Sequence, residues 1–376
     1  MDKFDECIIH IGTEKTGTKT LQEFFYINKS ILSKNSIFFP KTFGEKNHIK
    51  LTAYACADHK KDDLRKTLRI ISIPLIKNFR HEIEISFKRE IENQSCKRLL
   101  LSGEHMQSRL TSIEEIQFLK NFLDKFVTKY KIIVYLRSQI EMAISLYSTL
   151  LKSGGIRKTV LPDIKEKNLY YNHEKLLDRW SDVFGSECIV PRIFSRNDLL
   201  DNDIKKDFIS FLGLNWNDFK DVENFNESLN EDAQKFFLRI NKFLPRFIGD
   251  KPNKAHEVLV KIISDNNIGK GSIPTRMEAE NFFNIFADSN ERVREKWFPK
   301  RKKLFEIDFS IYPEKKNFNK NDNFGFKKFA ELWLKKSDQP FSSQVKNEIN
   351  NALINADQEK QDIKTKFKNF FYKGTS

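Results

Sequence analysis

The stretch Cys7-Ile8-Ile9-His10-Ile11-Gly12-Thr13-Glu14-Lys15-Thr16-Gly17-Thr18-Lys19-Thr20-Leu21 decides the fold. Cys7 to Ile11 is an apolar run of strand length bounded by Gly12. Leu21, Phe24, Phe25 and Leu32 then fall at helical spacing, so the segment reads as strand, loop, helix. A loop that leaves a buried strand and opens a helix presents unpaired backbone N–H groups at the positive end of the helix dipole, where an anion is stabilised. Gly12 and Gly17 let the backbone curl closely around a phosphate, Lys15 and Lys19 add charge, and Thr16, Thr18 and Thr20 add hydroxyl donors.

Working outward, Ser36 to Phe39 reads as a short strand stopped by Pro40, and the charged text from Lys60 to Glu92 reads as surface helices. Arg98 to Ser102 and Lys131 to Leu136 are two further apolar runs of strand length, separated by a helical pattern from Ile113 to Phe126. That alternation predicts an α/β fold, a parallel sheet flanked by helices. Ser138 and Glu141 form a capping box ahead of an amphipathic helix through Ile140, Ala143, Ile144, Tyr147, Leu150 and Leu151. Glu187 to Phe194 reads as a last strand, and Pro191 inside it places that strand at an edge. Beyond about Asn215 charged helical text dominates, so residues 1–225 are expected to form the α/β core and 226–376 a mainly helical C-terminal region that completes the fold.

With 376 residues, 39% of them hydrophobic and 35 of them Phe, the chain has apolar mass for a real core, which excludes a wholly disordered protein. Thirteen Gly and ten Pro exclude collagen-like and proline-rich classes. No stretch approaches the ~20 apolar residues of a membrane span, and the N-terminus lacks the basic region, apolar segment and cleavage site of an export signal. Cys7, Cys56, Cys96 and Cys188 are scattered without a CxxC pair, so neither a disulfide framework nor a zinc site is indicated, and a reducing cytoplasm is the expected setting. The formal charge of +14 favours anionic partners: nucleic acid, acidic polysaccharide, anionic lipid and a polyphosphate cofactor all fit, as does a plain solvated surface.

The loop is nearly a Walker A motif, but that motif places Lys directly after the second Gly, and here Thr18 stands between Gly17 and Lys19. The core Lys15-Thr16-Gly17-Thr18 instead resembles the 5′-phosphosulfate loop of sulfotransferases. A second motif of that family is an Arg at the end of a later strand with a Ser eight residues on; Arg137 follows the run Lys131 to Leu136, and Ser145 lies eight residues later. Asn47-His48, Leu101-Ser102-Gly103-Glu104-His105, Trp180 with Phe184-Gly185, Phe208 to Leu214, Gly269-Lys270-Gly271 and Ser289-Asn290 with Trp297-Phe298 are similar to bacterial glycan-type sulfotransferases, over roughly residues 5–306. Thr16 stands where Ser or Gly is frequent in that family, and Lys19 where Thr is frequent.

The resemblance implies a P-loop-like fold and transfer of a sulfuryl group from 3′-phosphoadenosine 5′-phosphosulfate (PAPS) to a hydroxyl or amine of a carbohydrate, a bacterial surface glycan, acidic or lipid-linked. Lys15 would neutralise the departing 5′-phosphate, and the loop from Thr16 to Thr20 would hold it. Arg137 and Ser145 would take the 3′-phosphate, with Lys270 closing over it by analogy with the family's basic loop. Lysine and amides supply the positive field, so no metal is expected. The base is expected to be Glu104, which ends a strand on the same sheet edge as the loop, with His48 and His105 as competitors.

Plainer readings stand beside these. Arg137 is also a plausible ion-pair partner, Glu104 a turn residue after a strand, His48 a loop anchor, and Lys270 and Arg276 solvated loop charges. The tail stripe Ile363, Phe367, Phe370 and Phe371, flanked by lysines, suits either docking onto the chain's own domain or an anionic membrane, which would put the protein at the inner face of the membrane. Two rivals remain: a P-loop kinase or nucleotide hydrolase using Mg-ATP, and a basic nucleic-acid-binding protein without catalysis. The expected strand ends, Glu104 and Arg137, lack the metal-binding Asp of the first, and no base-reading motif supports the second, so nucleic acid is not an expected partner.

Overall fold

The structure, a computed structural model, describes residues 3–60, 63–223, 228–267, 269–315, 328–333 and 335. Five strands form one parallel sheet: β1 (Glu6–His10), β2 (Ile37–Phe38), β3 (Arg98–Ser102), β4 (Tyr130–Leu136) and β5 (Ile189–Ile193), in the order β2-β3-β1-β4-β5. All four pairings are parallel, so every strand delivers its C-terminal end to one edge of the sheet. Because β1 lies between β3 and β4, the segments that follow these three strands meet at that edge, which is where α/β sheets bind ligands. Pro191 is tolerated because β5 is an outer strand, as its missing N–H requires.

Alternate strand residues enter two separate cores. Cys7, Ile9, Leu99, Leu101, Ile132 and Val134 face one, and Ile8, Leu100, Ile133 and Tyr135 face the other, so both faces of the sheet are covered. The second face is closed by α1 (Thr18–Ile27), α2 (Lys29–Lys34) and α10 (Ile204–Phe211), whose Phe24, Phe25 and Phe208 are fully buried. The first face is closed by α3 (Ile49–Ala55), α5 (Ile73–Ile91), α7 (Ile113–Leu123), α9 (His173–Phe184) and α14 (Ala287–Trp297). Between these elements run α4 (Asp63–Leu68), α6 (His105–Arg109), α8 (Gln139–Lys152) and α13 (Arg276–Asn284).

The chain divides into two compact units. One comprises Met1–Met142, Asp163–Asn226 and Met277–Ile311, and contains the sheet. The other comprises Ala143–Pro162, Glu227–Arg276 and Tyr312–Ser376. One crossing of the chain falls beside the expected boundary at 225, but the units interleave: residues 143–162, read as core, group with the second unit, and 277–311 with the first. The reason for the latter is visible at Asn290, whose side chain exchanges two hydrogen bonds of 2.8 and 3.1 Å with buried Gln139. The second unit holds α11 (Glu231–Ile240) and α12 (Lys254–Asp265), packed around Phe236, Phe237, Leu259 and Trp333, and a small antiparallel hairpin, β6 (Phe247–Ile248) and β7 (Lys251–Pro252). The hairpin is an addition to the helical text expected there. The stripe from Ile363 to Phe371 lies outside the described residues. No helix among the described residues is long and apolar enough to cross a membrane.

Candidate active site

The loop after β1 is stitched to both neighbouring strands. Thr13 N–H donates to Tyr135 O at 3.0 Å, Tyr135 N–H donates to Gly12 O at 2.8 Å, and on the other side Gly103 N–H donates to His10 O at 3.0 Å. Gly12 has φ 114°, and a Cβ there would lie 3.2 Å from Glu14 N and 3.3 Å from the Cα of Glu104. Only glycine satisfies both the conformation and the approach, and that approach presses the loop against Glu104. Lys15 also stands in the left-handed region, at φ 69°. A non-glycine residue is held there at a cost of order 1–3 kcal/mol, which the surrounding structure must impose.

Gly17, at φ 73°, is the N-cap of α1; no side chain caps that helix and its first turn carries no acidic residue. An uncapped, acid-free helix start next to Lys15 and the exposed Lys19 matches the donor set of an anion site. The hydroxyls behave differently from expectation. Thr16 Oγ1 and Thr18 Oγ1 donate to Thr13 O at 2.7 and 3.2 Å, closing the loop on itself, and Thr20 is buried in the first turn. The carbonyl of buried Thr13 accepts both of these bonds.

Arg137 follows β4 and reaches back over the loop: its Nη1 donates to Lys15 O at 2.7 Å. Its Nε lies 3.5 Å from Glu141 Oε2, and its guanidinium stands 5.5 Å from the centre of the Phe194 ring. His173 Nε2 donates to the Arg137 carbonyl at 2.8 Å; burial pushes this imidazole down to about 4, which keeps it neutral in that role. The capping pair is present, with Glu141 N–H donating to Ser138 Oγ at 3.4 Å.

On the other side of β1, Glu104 opens α6 and is 7% exposed. Gln22 Nε2 donates to its Oε2 at 2.6 Å, and Asn47 Nδ2 reaches the same oxygen at 3.4 Å. His105 Nδ1 lies 3.8 Å from Oε1, which accepts no hydrogen bond among the described residues. One carboxylate oxygen is thus fixed by two amides and the other is left to take a proton. With β3, β1 and β4 adjacent, Glu104 and Arg137 flank the loop at about two strand spacings, roughly 10 Å.

His48 is placed as an anchor. Its Nε2 donates to Pro40 O at 2.9 Å, its Nδ1 accepts from Ser102 N–H at 3.0 Å, and burial pushes it down to about 3. With both nitrogens engaged it has no lone pair for an acceptor proton. Ser145 and Lys270 belong to the second unit. Ser145 is half-buried on α8, and Lys270 is exposed with its carbonyl accepting from Glu231 N–H at 3.1 Å. Arg276 pairs with Glu314 at 2.5 Å.

Three contributors were not read from the sequence. Gln22 had a signal: it follows Thr18 by four positions, so both share the inward face of α1. Tyr170 stands beside Glu14; burial and that carboxylate push its phenol well up, with Arg109 opposing. Gln107, 1% exposed, donates from Nε2 to Tyr170 O at 2.9 Å. Neither of these last two had a local signal.

No protein-family model and no curated protein matches the chain. Among solved structures it is similar to a crystal structure of a protein from Alicyclobacillus acidocaldarius, at 14% sequence identity and a TM-score of 0.38, covering 62% of this chain and 89% of that one. That protein is a sulfotransferase.

Proposed function

We propose that this chain is a sulfotransferase that moves a sulfuryl group from PAPS to a hydroxyl or amine of a carbohydrate. The observation that carries the reading is the 2.7 Å hydrogen bond from Arg137 to the Lys15 carbonyl, which joins an uncapped helix start, two loop lysines and a distant guanidinium at one edge of the sheet. Two anion-binding groups so placed suit a donor with phosphates at both ends. The chemistry needs in-line geometry and charge stabilisation more than covalent work by the protein. The acceptor oxygen or nitrogen forms its bond to sulfur as the bond from sulfur to the 5′-phosphate oxygen breaks. The acceptor proton passes to Glu104 Oε1, and Lys15 with the amides of the α1 start takes up the charge on the departing 3′-phosphoadenosine 5′-phosphate (PAP).

The test is transfer of labelled sulfuryl from PAPS to desulfated glycans by the wild type and by Lys15→Ala and Glu104→Gln. Loss of transfer in both variants is expected; near-normal turnover in both overturns the assignment.

A further inference from the structure

At the C-terminal end of β2, on the same sheet edge as Glu104, lies an open groove of about 720 Å³. Lys41, Thr42 and Lys50 form one wall, and Arg89 and Glu90 of α5 the other. The volume falls within the range of ordinary ligand sites. Its single carboxylate is engaged: Glu90 Oε1 accepts from Lys41 N–H at 2.8 Å and Oε2 from Thr42 N–H at 2.9 Å, which pins the loop in place. Among the described residues, no ion pair or hydrogen bond is made by the side-chain nitrogens of Lys41, Lys50 or Arg89. Other cations on this unit, Lys46, Lys60, Lys125 and Arg80, are paired with Glu23, Glu115, Glu84 and Asp58. Three unpaired cations converging on a concave surface hold a positive potential that solvent and salt screen less than on a convex face.

The groove and the candidate base are linked through the segment that opens α3. Lys50 lies in the first turn of α3, three residues after Asn47, which precedes the helix N-cap His48. Asn47 itself touches Glu104 at 3.4 Å. We propose that this groove binds the carboxylate- or sulfate-bearing sugars next to the acceptor residue, so that the acceptor is an acidic oligosaccharide lying from Arg89 past Lys50 to Glu104. This rests on the sulfotransferase reading for the role of Glu104, but not for the binding itself. An open concave surface suits a chain of rings, whereas a membrane needs a flat or protruding surface.

The probe is hexagalacturonate, titrated calorimetrically at low salt into the full-length protein, with maltohexaose as the neutral control and PAP-induced thermal stabilisation measured in parallel. The wild type is expected to bind the acidic hexamer and not the neutral one. Combined Lys50→Gln and Arg89→Gln is expected to weaken that binding roughly tenfold, the size of two half-exposed ion pairs, while the PAP response stays unchanged. Equal binding of the acidic hexamer by wild type and double variant overturns the proposal, as does equal binding of maltohexaose, or charge-dependent binding to phosphatidylglycerol vesicles in place of the hexamer. Hexamer binding that depends on Lys50 and Arg89 without any response to PAP supports the groove and sinks the donor reading instead.

Discussion

Arg137 and Lys15, 122 positions apart in the chain, are joined by a hydrogen bond of 2.7 Å from the guanidinium to the loop carbonyl. The bond exists because β1 and β4 are neighbours in register, with His10 opposite Ile133, so the residues following each strand emerge side by side. A planar fork and a point charge are not equivalent at such a place. Arg137→Lys keeps the charge but loses the paired geometry, and the Michaelis constant for PAPS is expected to rise at least about tenfold, ~1.4 kcal/mol, with kcat changed less. Steady-state kinetics at saturating acceptor checks this; an unchanged donor constant would remove Arg137 from the donor site.

Gly12→Ala places a methyl group where 3.2–3.3 Å separates it from Glu14 N and the Glu104 Cα, and forces φ 114° on a residue that avoids it. The expected loss is about 2–4 kcal/mol of unfolding free energy, read from urea denaturation, together with reduced transfer because Glu104 is displaced. A variant as stable and active as the wild type contradicts the close approach.

Gln22 positions Glu104 through its 2.6 Å donor bond to Oε2. Gln22→Leu is expected to lower kcat about tenfold or more while leaving the donor's Michaelis constant nearly unchanged, and to lower the melting temperature by a few degrees, since a buried charge-assisted hydrogen bond is worth about 1.5–3 kcal/mol. Glu104→Gln removes the base itself and is expected to lower kcat by about 10²–10⁴. If Gln22→Leu raises the donor constant and spares kcat, Gln22 does not act through Glu104.

Four buried histidines set an acid limit on stability. Burial pushes His10 and His48 down to about 3 and His173 and His256 to about 4, below the ordinary 6.5 of the unfolded chain. Below pH 6.5 the unfolded state binds protons that the folded state refuses, so stability is full above that pH and falls towards pH 4 by about 1.4 kcal/mol per pH unit for each histidine. Below the folded values the loss levels off. His48→Gln is expected to be less stable at neutral pH, because its two hydrogen bonds are altered, but to show a shallower fall between pH 6.5 and 4 in chemical denaturation. An unchanged slope contradicts a neutral, buried His48.

Much of this was legible in the chain because the informative features were local. β3 spans Arg98–Ser102, the apolar run itself, and Pro191 marked β5 as an outer strand. The loop was readable because Gly12 and Gly17 stand where the backbone takes positive φ. Arg137 was readable because a strand end, a capping pair and a resemblance coincided there. What was hidden depends on contacts distant in sequence. Nothing near Asn290 announces its exchange with Gln139, so the return of 277–311 to the sheet unit could not be seen. Nor does composition show that the Thr16 and Thr18 hydroxyls donate to Thr13 O. His48 looked chemical because a histidine's role is set by its two partners, here Pro40 and Ser102, which lie on different segments.

The most direct test is calorimetric titration of PAP into the wild type in the presence of a chelator, repeated with Lys15→Ala and Arg137→Ala. The account predicts saturable, metal-independent binding at one site that both substitutions weaken by tenfold or more. Binding that needs Mg²⁺ and prefers ATP, or PAP affinity untouched by either substitution, would contradict it.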